Sequence, residues 1–284
     1  MHPYPALLLA LSAVALAQSP SRIVSTAPSF TETMFALGAG NRVIAVSEFC
    51  HFPEQANRLP RVGSYLQPNI EAIAKLEPDL VLVHAEQKAA VAQLHALGLR
   101  TLALTNTSLE DTIATARRIG DAIGSPERGI ELDKQIRSRL TAIEKRAAGK
   151  PRRSLLFVVG RTPGRLDGMI AVGKGSFLNE LIRIAGGRNV LADSPVTYPK
   201  ISLEGVLRLD PDVIVDMGDM AVTTGVTEAH TSAVVKLWKS QAGVRAAASS
   251  RVFAVASDIY VVPGPRVSEA AEAFHRMLFP EPNR

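Results

Sequence analysis

The chain has 284 residues, 46% of them hydrophobic and 21% charged, enough for two medium-sized domains that each bury a core. Its net charge of +5 comes from scattered lysines and arginines, with Arg117-Arg118 and Arg152-Arg153 among the densest runs, too sparse for a nucleic-acid stripe. The single cysteine, Cys50, excludes an internal disulfide, so the fold rests on its core.

Residues 6–17 are an apolar run closing on Val14-Ala15-Leu16-Ala17, with small residues at an A-x-A cleavage position. The run is too short to span a bilayer. Met1-His2-Pro3-Tyr4-Pro5 before it has no Lys or Arg, a departure from the usual export signal. The alternative is a buried N-terminal helix, which Pro3-Tyr4-Pro5 is ill-suited to begin. Residues 1–17 are therefore read as a signal peptide. No cysteine follows the run, so the expected address is periplasmic, without a lipid anchor at that site.

Strands and helices then alternate with short connections: a strand over 22–25, a helix from Pro28, and a strand over 43–46. Ser29 and Glu32 stand at capping-box spacing for that first helix. A helix and strand over 70–83, a helix over 89–97, a strand over 101–104 and a helix over 109–123 complete a first lobe. Residues 126–148 break the rhythm. Ile130, Leu132, Ile136, Leu140 and Ile143 recur at near-helical spacing, and a helix of that length extends roughly 30 Å. It can serve as a strut between lobes or fold back onto the first. A strand over 154–159, a Gly- and Pro-rich loop over 160–175, a helix over 177–185 and a strand over 190–191 follow. After a helix and strand over 203–216 and a loop over 217–228 come a helix over 233–239, a strand over 252–255 and a helix over 267–278. The expected fold is α/β, two lobes with mostly parallel sheets joined by one long rigid helix: 18–125, then the helix 126–149, then 150–284.

An internal repeat supports two lobes of like build. Ile70 to Val83 recurs without a gap as Leu203 to Asp216, placing Glu71 on Glu204 and Pro78-Asp79 on Pro211-Asp212. The segment 39–43 is likewise echoed by 186–190. Each glutamate opens a helix, where the dipole stabilises a carboxylate by about 0.3–1 kcal/mol, and that suffices for either alone. Two equivalent acids on two lobes also make a two-point docking pattern for arginines on a partner.

Gly168 to Lys174 matches most of a phosphate-binding loop, but Gly175 stands where a Ser or Thr would hold magnesium, so it reads as a turn before a helix. No serine elbow, tuned acid pair or close His/Cys spacing appears, so neither catalysis nor a dedicated metal site is expected. His51, His84 and Cys50 fall in loops after strands. Either histidine is able to ligate a cobalt or iron centre carried by a ligand, though a solvated imidazole is the simpler reading. Phe30, Phe49, Phe52, Tyr65, Tyr198 and Tyr260 collect in loops after strands or before helices, where open α/β sheets bind ligands. Rings with polar tips suit a large, flat or amphipathic ligand. Loop packing explains any one of them alone, and best explains Phe52 beside Pro53.

Residues 22–32 (Arg-Ile-Val-Ser-Thr-Ala-Pro-Ser-Phe-Thr-Glu), 62–65 (Val-Gly-Ser-Tyr), 69–71 with 76–79 (Leu-Glu-Pro-Asp), and 175–180 (Gly-Ser-Phe-Leu-Asn-Glu) together resemble one family over nearly the whole mature chain. It is the class of periplasmic substrate-binding proteins that serve ABC importers of cobalamin, haem and ferric siderophores. Loop 48–53, segment 198–202 and Ser257-Asp258 look most like its cobalamin-binding branch. The resemblance implies two α/β lobes on one long helix, little hinge closure, and a ligand held in the groove between them. It further implies that Glu71 and Glu204 dock onto permease arginines, and that Phe49 or Cys50, Tyr65, Tyr198 and Asp258, with Tyr260 nearby, line the groove. Several positions that are Trp or Tyr in that branch are here Tyr, His84 or aliphatic, and Trp238 falls outside the groove.

The function expected is therefore capture of a corrinoid and delivery to an inner-membrane ABC permease by a monomer, with no reaction and no intrinsic cofactor. The bound ligand would be cobalamin or another metal chelate, with Phe30, Phe49, Cys50, Tyr65, His84, Tyr198, Asp258 and Tyr260 as candidate contacts. Haem or a ferric siderophore is the rival within the class. A secreted hydrolase or an adhesion module is the rival outside it.

Overall fold

Strands that are apolar on both sides form the centre of each lobe, because helices cover both faces of their sheets. In the computed structural model, which describes residues 19–218 and 227–280, β1 (Ile23–Ser25), β2 (Val43–Val46), β3 (Leu80–His84) and β4 (Thr101–Leu104) form the first sheet. Its order is β2-β1-β3-β4 and every pairing is parallel. The chain reverses its winding direction between β1 and β3, which opens a crevice at their carboxyl ends. Helices α1 (Pro28–Ala36), α2 (Ile70–Lys75), α3 (Lys88–Ala96) and α4 (Leu109–Ala122) cover it. The expected signal segment, 1–17, lies outside the described residues.

The second sheet is built on β5 (Arg153–Gly160), flanked in parallel by β9 (Val213–Asp216) and β7 (Gly187–Asn189), with β10 (Val252–Ala254) beyond β9. Two antiparallel pairings extend it, β6 (Met169–Ala171) on β5 and β8 (Lys200–Ile201) on β6, so β6 alone runs against β5. The α/β expectation holds, with this mixed edge added. Residues 160–175 are not all loop, because Met169 and Ala171 are buried in β6. The strand expected over 190–191 sits three residues earlier. Helices α6 (Phe177–Ile184), α7 (Leu203–Leu209), α8 (Glu228–Lys239), the short α9 (Arg245–Ala248) and α10 (Val267–Leu278) complete the lobe. Trp238 is wholly buried, its indole N–H donating to Asp216 at 2.6 Å.

The helix between the sheets, α5 (Pro126–Ala147), is one 22-residue rod. Its Ile136, Leu140 and Ile143 join Leu109 and Ile113 of α4, Leu178 and Leu181 of α6 and Phe274 of α10 in one apolar cluster. It is thus packed against both lobes. Where α4 and α5 cross, a Cβ on Gly129 would lie 2.8 Å from the Ala116 carbonyl, so only glycine permits the approach. Buried Asp133 adds ion pairs to Arg117 (2.6 Å) and Arg137 (2.7 Å).

The capping box expected for α1 is absent. Ala27 is its N-cap, with Pro28 at the first helical position; Ser29 lies inside the helix and accepts a hydrogen bond from Asn106. Proline's preset φ makes a side-chain cap unnecessary there. The repeated segment is more informative. Asn69 and Ser202 cap α2 and α7, and Glu77 (φ 45°) and Asp210 (φ 42°) end them in the left-handed region. The aspartate after each proline then latches two strands. Asp79 Oδ2 accepts from Ser21 N (2.8 Å) and Oγ (2.9 Å), and Asp212 Oδ2 from Ser154 N (2.7 Å) and Oγ (2.8 Å).

Burial pushes the Asp212 carboxyl up, but the Ser154 donors and Arg245 outweigh it and hold its pKa below the usual carboxylate value. Its contribution is therefore present above the unfolded carboxylate pKa and lost as pH falls through the lower folded one. Asp212→Ala is expected to cost about 1.5–3 kcal/mol at pH 7. In denaturant titrations the gap from wild type should close as pH falls toward the acid end; a gap independent of pH would remove the latch from this role.

Candidate functional site

Nine large hydrophobic side chains are exposed among the described residues, and six of them, Phe49, Phe52, Tyr65, Leu66, Val196 and Tyr198, sit in three loops between the lobes. Exposed apolar surface clustered in this way is the kind a binding site presents. Tyr65 stands at the tip of a tight loop. A β-bridge between Gly63 and Pro68 closes it, Ser64 Oγ accepts from Gln67 N at 3.0 Å, and Gln87 donates to the Tyr65 carbonyl. Gly63 is required there: its φ is +86°, and a Cβ would meet the Gln67 carbonyl at 2.6 Å.

Tyr198 answers Tyr65 from the second lobe, and its hydroxyl lies 3.2 Å from Ser176 Oγ. Tyr198 keeps 41% of its surface accessible. Even so, enclosure by surrounding protein raises its phenol pKa, and the charge of Tyr65 raises it further. Water reaches the ring while protein surrounds it, as befits a side chain lining a groove. The two tyrosines are also equivalent: 65 to 198, 69 to 202 and 71 to 204 all span 133 residues. In each lobe an exposed tyrosine, a helix cap and an exposed glutamate therefore follow at the same spacing.

His84 ends β3 at the crevice beside β1. Its ring leans on Phe30 at 4.7 Å between centroids and meets the edge of Tyr65 at 5.8 Å. Burial lowers its pKa more than Glu86, 3.7 Å away, raises it, so the imidazole is neutral at neutral pH. Among the described residues no group of three His, Cys, Asp or Glu side chains is placed to hold a metal ion.

Three candidates are placed differently from the sequence expectation. Phe30 is fully buried and supports His84 from behind. Cys50 is equally buried, 3.2 Å from Thr31 Oγ1 and 3.1 Å from Ser47 Oγ, and burial raises its thiol pKa, so it anchors its loop rather than meeting a ligand. Tyr260 packs against Phe157 and Phe274 in the second core, where burial pushes its phenol up to about 12. An aromatic in a loop points inward as readily as outward, and alternation gives no warning in so short a turn. Phe49, Tyr65, His84, Tyr198 and Asp258 retain accessible surface.

The sequence also concealed a cluster that spans the lobes. Glu32 of α1, 3% exposed, receives Arg266 Nε at 3.0 Å and Nη2 at 2.5 Å. Arg266 Nη2 also pairs with Asp258 at 2.9 Å, and the guanidinium lies 3.9 Å from the Phe52 ring centroid. The Glu32–Arg266 pair is separated by 234 residues and has no periodicity to announce it. Phe52, read as packing, is here a cation–π partner. A second bridge runs from Glu180 of α6 to the first N–H of α4, Leu109, at 3.0 Å.

The match to known proteins follows this geometry. A family model described as periplasmic binding protein covers residues 23–258. The chain belongs to this family. It is 30% identical over 254 residues to a vitamin B12-binding protein of Vibrio cholerae, spanning 88% of this chain and 86% of the relative. It is 28% identical to the uncharacterised ABC transporter substrate-binding lipoprotein YvrC of Bacillus subtilis, over 94% and 83% of the two chains. The crystal structure of the periplasmic vitamin B12 binding protein BtuF of Vibrio cholerae superposes with a TM-score of 0.76 at 29% identity, covering 92% of this chain and 97% of that one. The haem-binding protein RhuT from Roseiflexus gives 0.75 at 26%, over 91% and 99%. The family and these structural neighbours are substrate-binding proteins. No helix among the described residues is long and apolar enough to cross a membrane.

Burial pushes the Glu32 carboxyl up to about 7, against the pull of Arg266 and with help from Asp258 and Glu269. Because the folded value exceeds the unfolded one, ionising Glu32 costs stability as pH rises from about 4.5 to about 7. Arg266→Met removes the only cation facing it among the described residues and should raise that value further. Thermal melts are expected to show the variant most destabilised near pH 8 and least near pH 6; a deficit unchanged by pH would contradict the assignment.

Proposed function

We propose that the chain is the substrate-binding component of an ABC importer, taking a corrinoid such as cobalamin into the groove between its lobes and catalysing no reaction. The observation that carries this reading is the pair of equivalent tyrosines, Tyr65 and Tyr198, set among exposed apolar side chains in loops of the two lobes. The relative named a vitamin B12-binding protein supports the choice of ligand. Aromatic and apolar contacts supply the affinity, and a few polar atoms such as the Tyr198 hydroxyl and Asp258 orient the ligand. Lobes over 18–125 and 150–284, with the helix 126–149 between them, hold the walls apart. The ligand is cargo, and the protein acts as a monomer exported to the periplasm by residues 1–17.

Glu71 and Glu204 serve as docking acids. Both are exposed, both lie in the first turn of a capped helix, and among the described residues neither takes part in an ion pair. Their charge is free for arginines on a permease. Haem or a ferric chelate is the second reading, favoured by the neutral, partly accessible His84 beside Tyr65.

Calorimetric titration with cyanocobalamin tests the ligand. Tyr65→Ala and Tyr198→Ala are each expected to weaken binding by about ten-fold or more. No binding of cyanocobalamin, together with a ligand-field spectrum on adding haemin, would replace the first reading by the second. The double variant Glu71→Lys, Glu204→Lys should abolish uptake in cells and leave cyanocobalamin affinity unchanged; sustained uptake would end the docking assignment.

A further inference from the structure

The cluster of Glu32, Arg266 and Asp258 does more than join the lobes, because part of it is accessible beside the Phe52 ring. The Arg266 and Asp258 side chains are 14% and 20% exposed, whereas Glu32 is at 2%. An arginine has five N–H donors. Here Nε and Nη2 go to the two carboxylates, and no acceptor among the described residues takes the Nη1 hydrogens. Asp258 is held through Oδ2, which leaves Oδ1 without a donor among the described residues. An unused donor and an unused acceptor therefore sit on neighbouring side chains. A primary carboxamide, with one C=O and one NH2, complements that pair.

Charge sharpens the choice. One guanidinium faces two carboxylates, with Glu269 close enough to add to the negative side. With Glu32 ionised the cluster carries a surplus negative charge and no unspent positive one. A ligand carboxylate at this point would meet Asp258 with no unspent cation to offset the repulsion. The rim of a corrin carries carboxamides, and the edge of haem carries two propionates.

We propose, resting on the corrinoid reading above, that Glu32 sets the charge selectivity of the groove: by adding a second negative charge to the Arg266–Asp258 pair from the opposite lobe, it makes the site accept carboxamide-bearing chelates and reject carboxylate-bearing ones. Glu32 is a positioning residue here, since it touches the guanidinium and not the ligand. Were its charge removed, the cluster would lose its surplus negative charge, and Arg266 would be balanced by Asp258 alone.

The test compares cyanocobalamin with the dicarboxylic acid obtained by hydrolysing two of its propionamides, on the full-length protein by calorimetry. The wild type is expected to prefer the amide by about ten-fold or more. Glu32→Gln should bring the ratio of the two dissociation constants close to one, and Glu32→Asp, which keeps the charge, should restore the preference. Should Glu32→Gln fail to fold, Asp258→Asn changes the same net charge without removing the bridge between lobes, and should move the ratio the same way. A wild type that binds both forms equally, or a ratio unmoved by loss of either charge, overturns the inference and leaves the corrinoid reading standing. Binding of neither form overturns both.

Discussion

The two lobes are set at one separation because a single hydrophobic cluster passes through α5 and belongs to both of them. Ile136, Leu140 and Ile143 on one rod touch α4 on one side and α6 and α10 on the other. Close packing of that kind resists the sliding that a flexible linker would permit. The groove is therefore largely formed before a ligand arrives, and binding is spared much of the cost of ordering its walls. Everything that lines the groove inherits its position from this brace. The Glu180 bond to α4 and the Glu32–Arg266 pair add polar fastenings at either end of the same joint.

Within that frame the two halves are alike where they face outward and unlike where they meet. The cap, the glutamate, the left-handed stop, the proline and the latching aspartate recur at the same spacing in both lobes, and the groove tyrosine precedes them in both. An exposed tyrosine and an exposed acid thus share one short, tightly tied segment on each side. The charged cluster has no such counterpart. It is assembled once, from α1 of one lobe and the Asp258–Arg266 segment of the other. It supplies the polar asymmetry that a pair of similar walls lacks.

The candidate residues divide by how they act. Tyr65 and Tyr198 expose their rings, and His84 holds a neutral imidazole between Phe30 and Tyr65. Phe30, Cys50 and Tyr260 act from behind, by packing. The Asp216–Arg161–Trp238 group plays a comparable supporting part in the second lobe: its ion pair is buried, and the indole N–H completes it. A buried pair so fully hydrogen-bonded holds the ends of β5 and β9 in place more than it adds net stability.

Much of this was legible in the residues themselves. Unbroken apolar runs marked the central strands, and 3.6-residue spacing marked α5. The helix–proline–strand repeat revealed two lobes, because these features depend only on neighbours along the chain. Extending that repeat by a few residues would also have paired Tyr65 with Tyr198. Tertiary packing decided the rest. Whether an aromatic in a loop turns inward, as Tyr260 does, or outward, as Tyr198 does, depends on the space left by distant helices. That Glu32 meets Arg266 rather than capping its own helix depends on two segments brought together by folding. Local sequence sets which elements form; the burial of a side chain and the partner of a charge are set by residues far away in sequence, through contacts that exist only after the lobes have closed on α5.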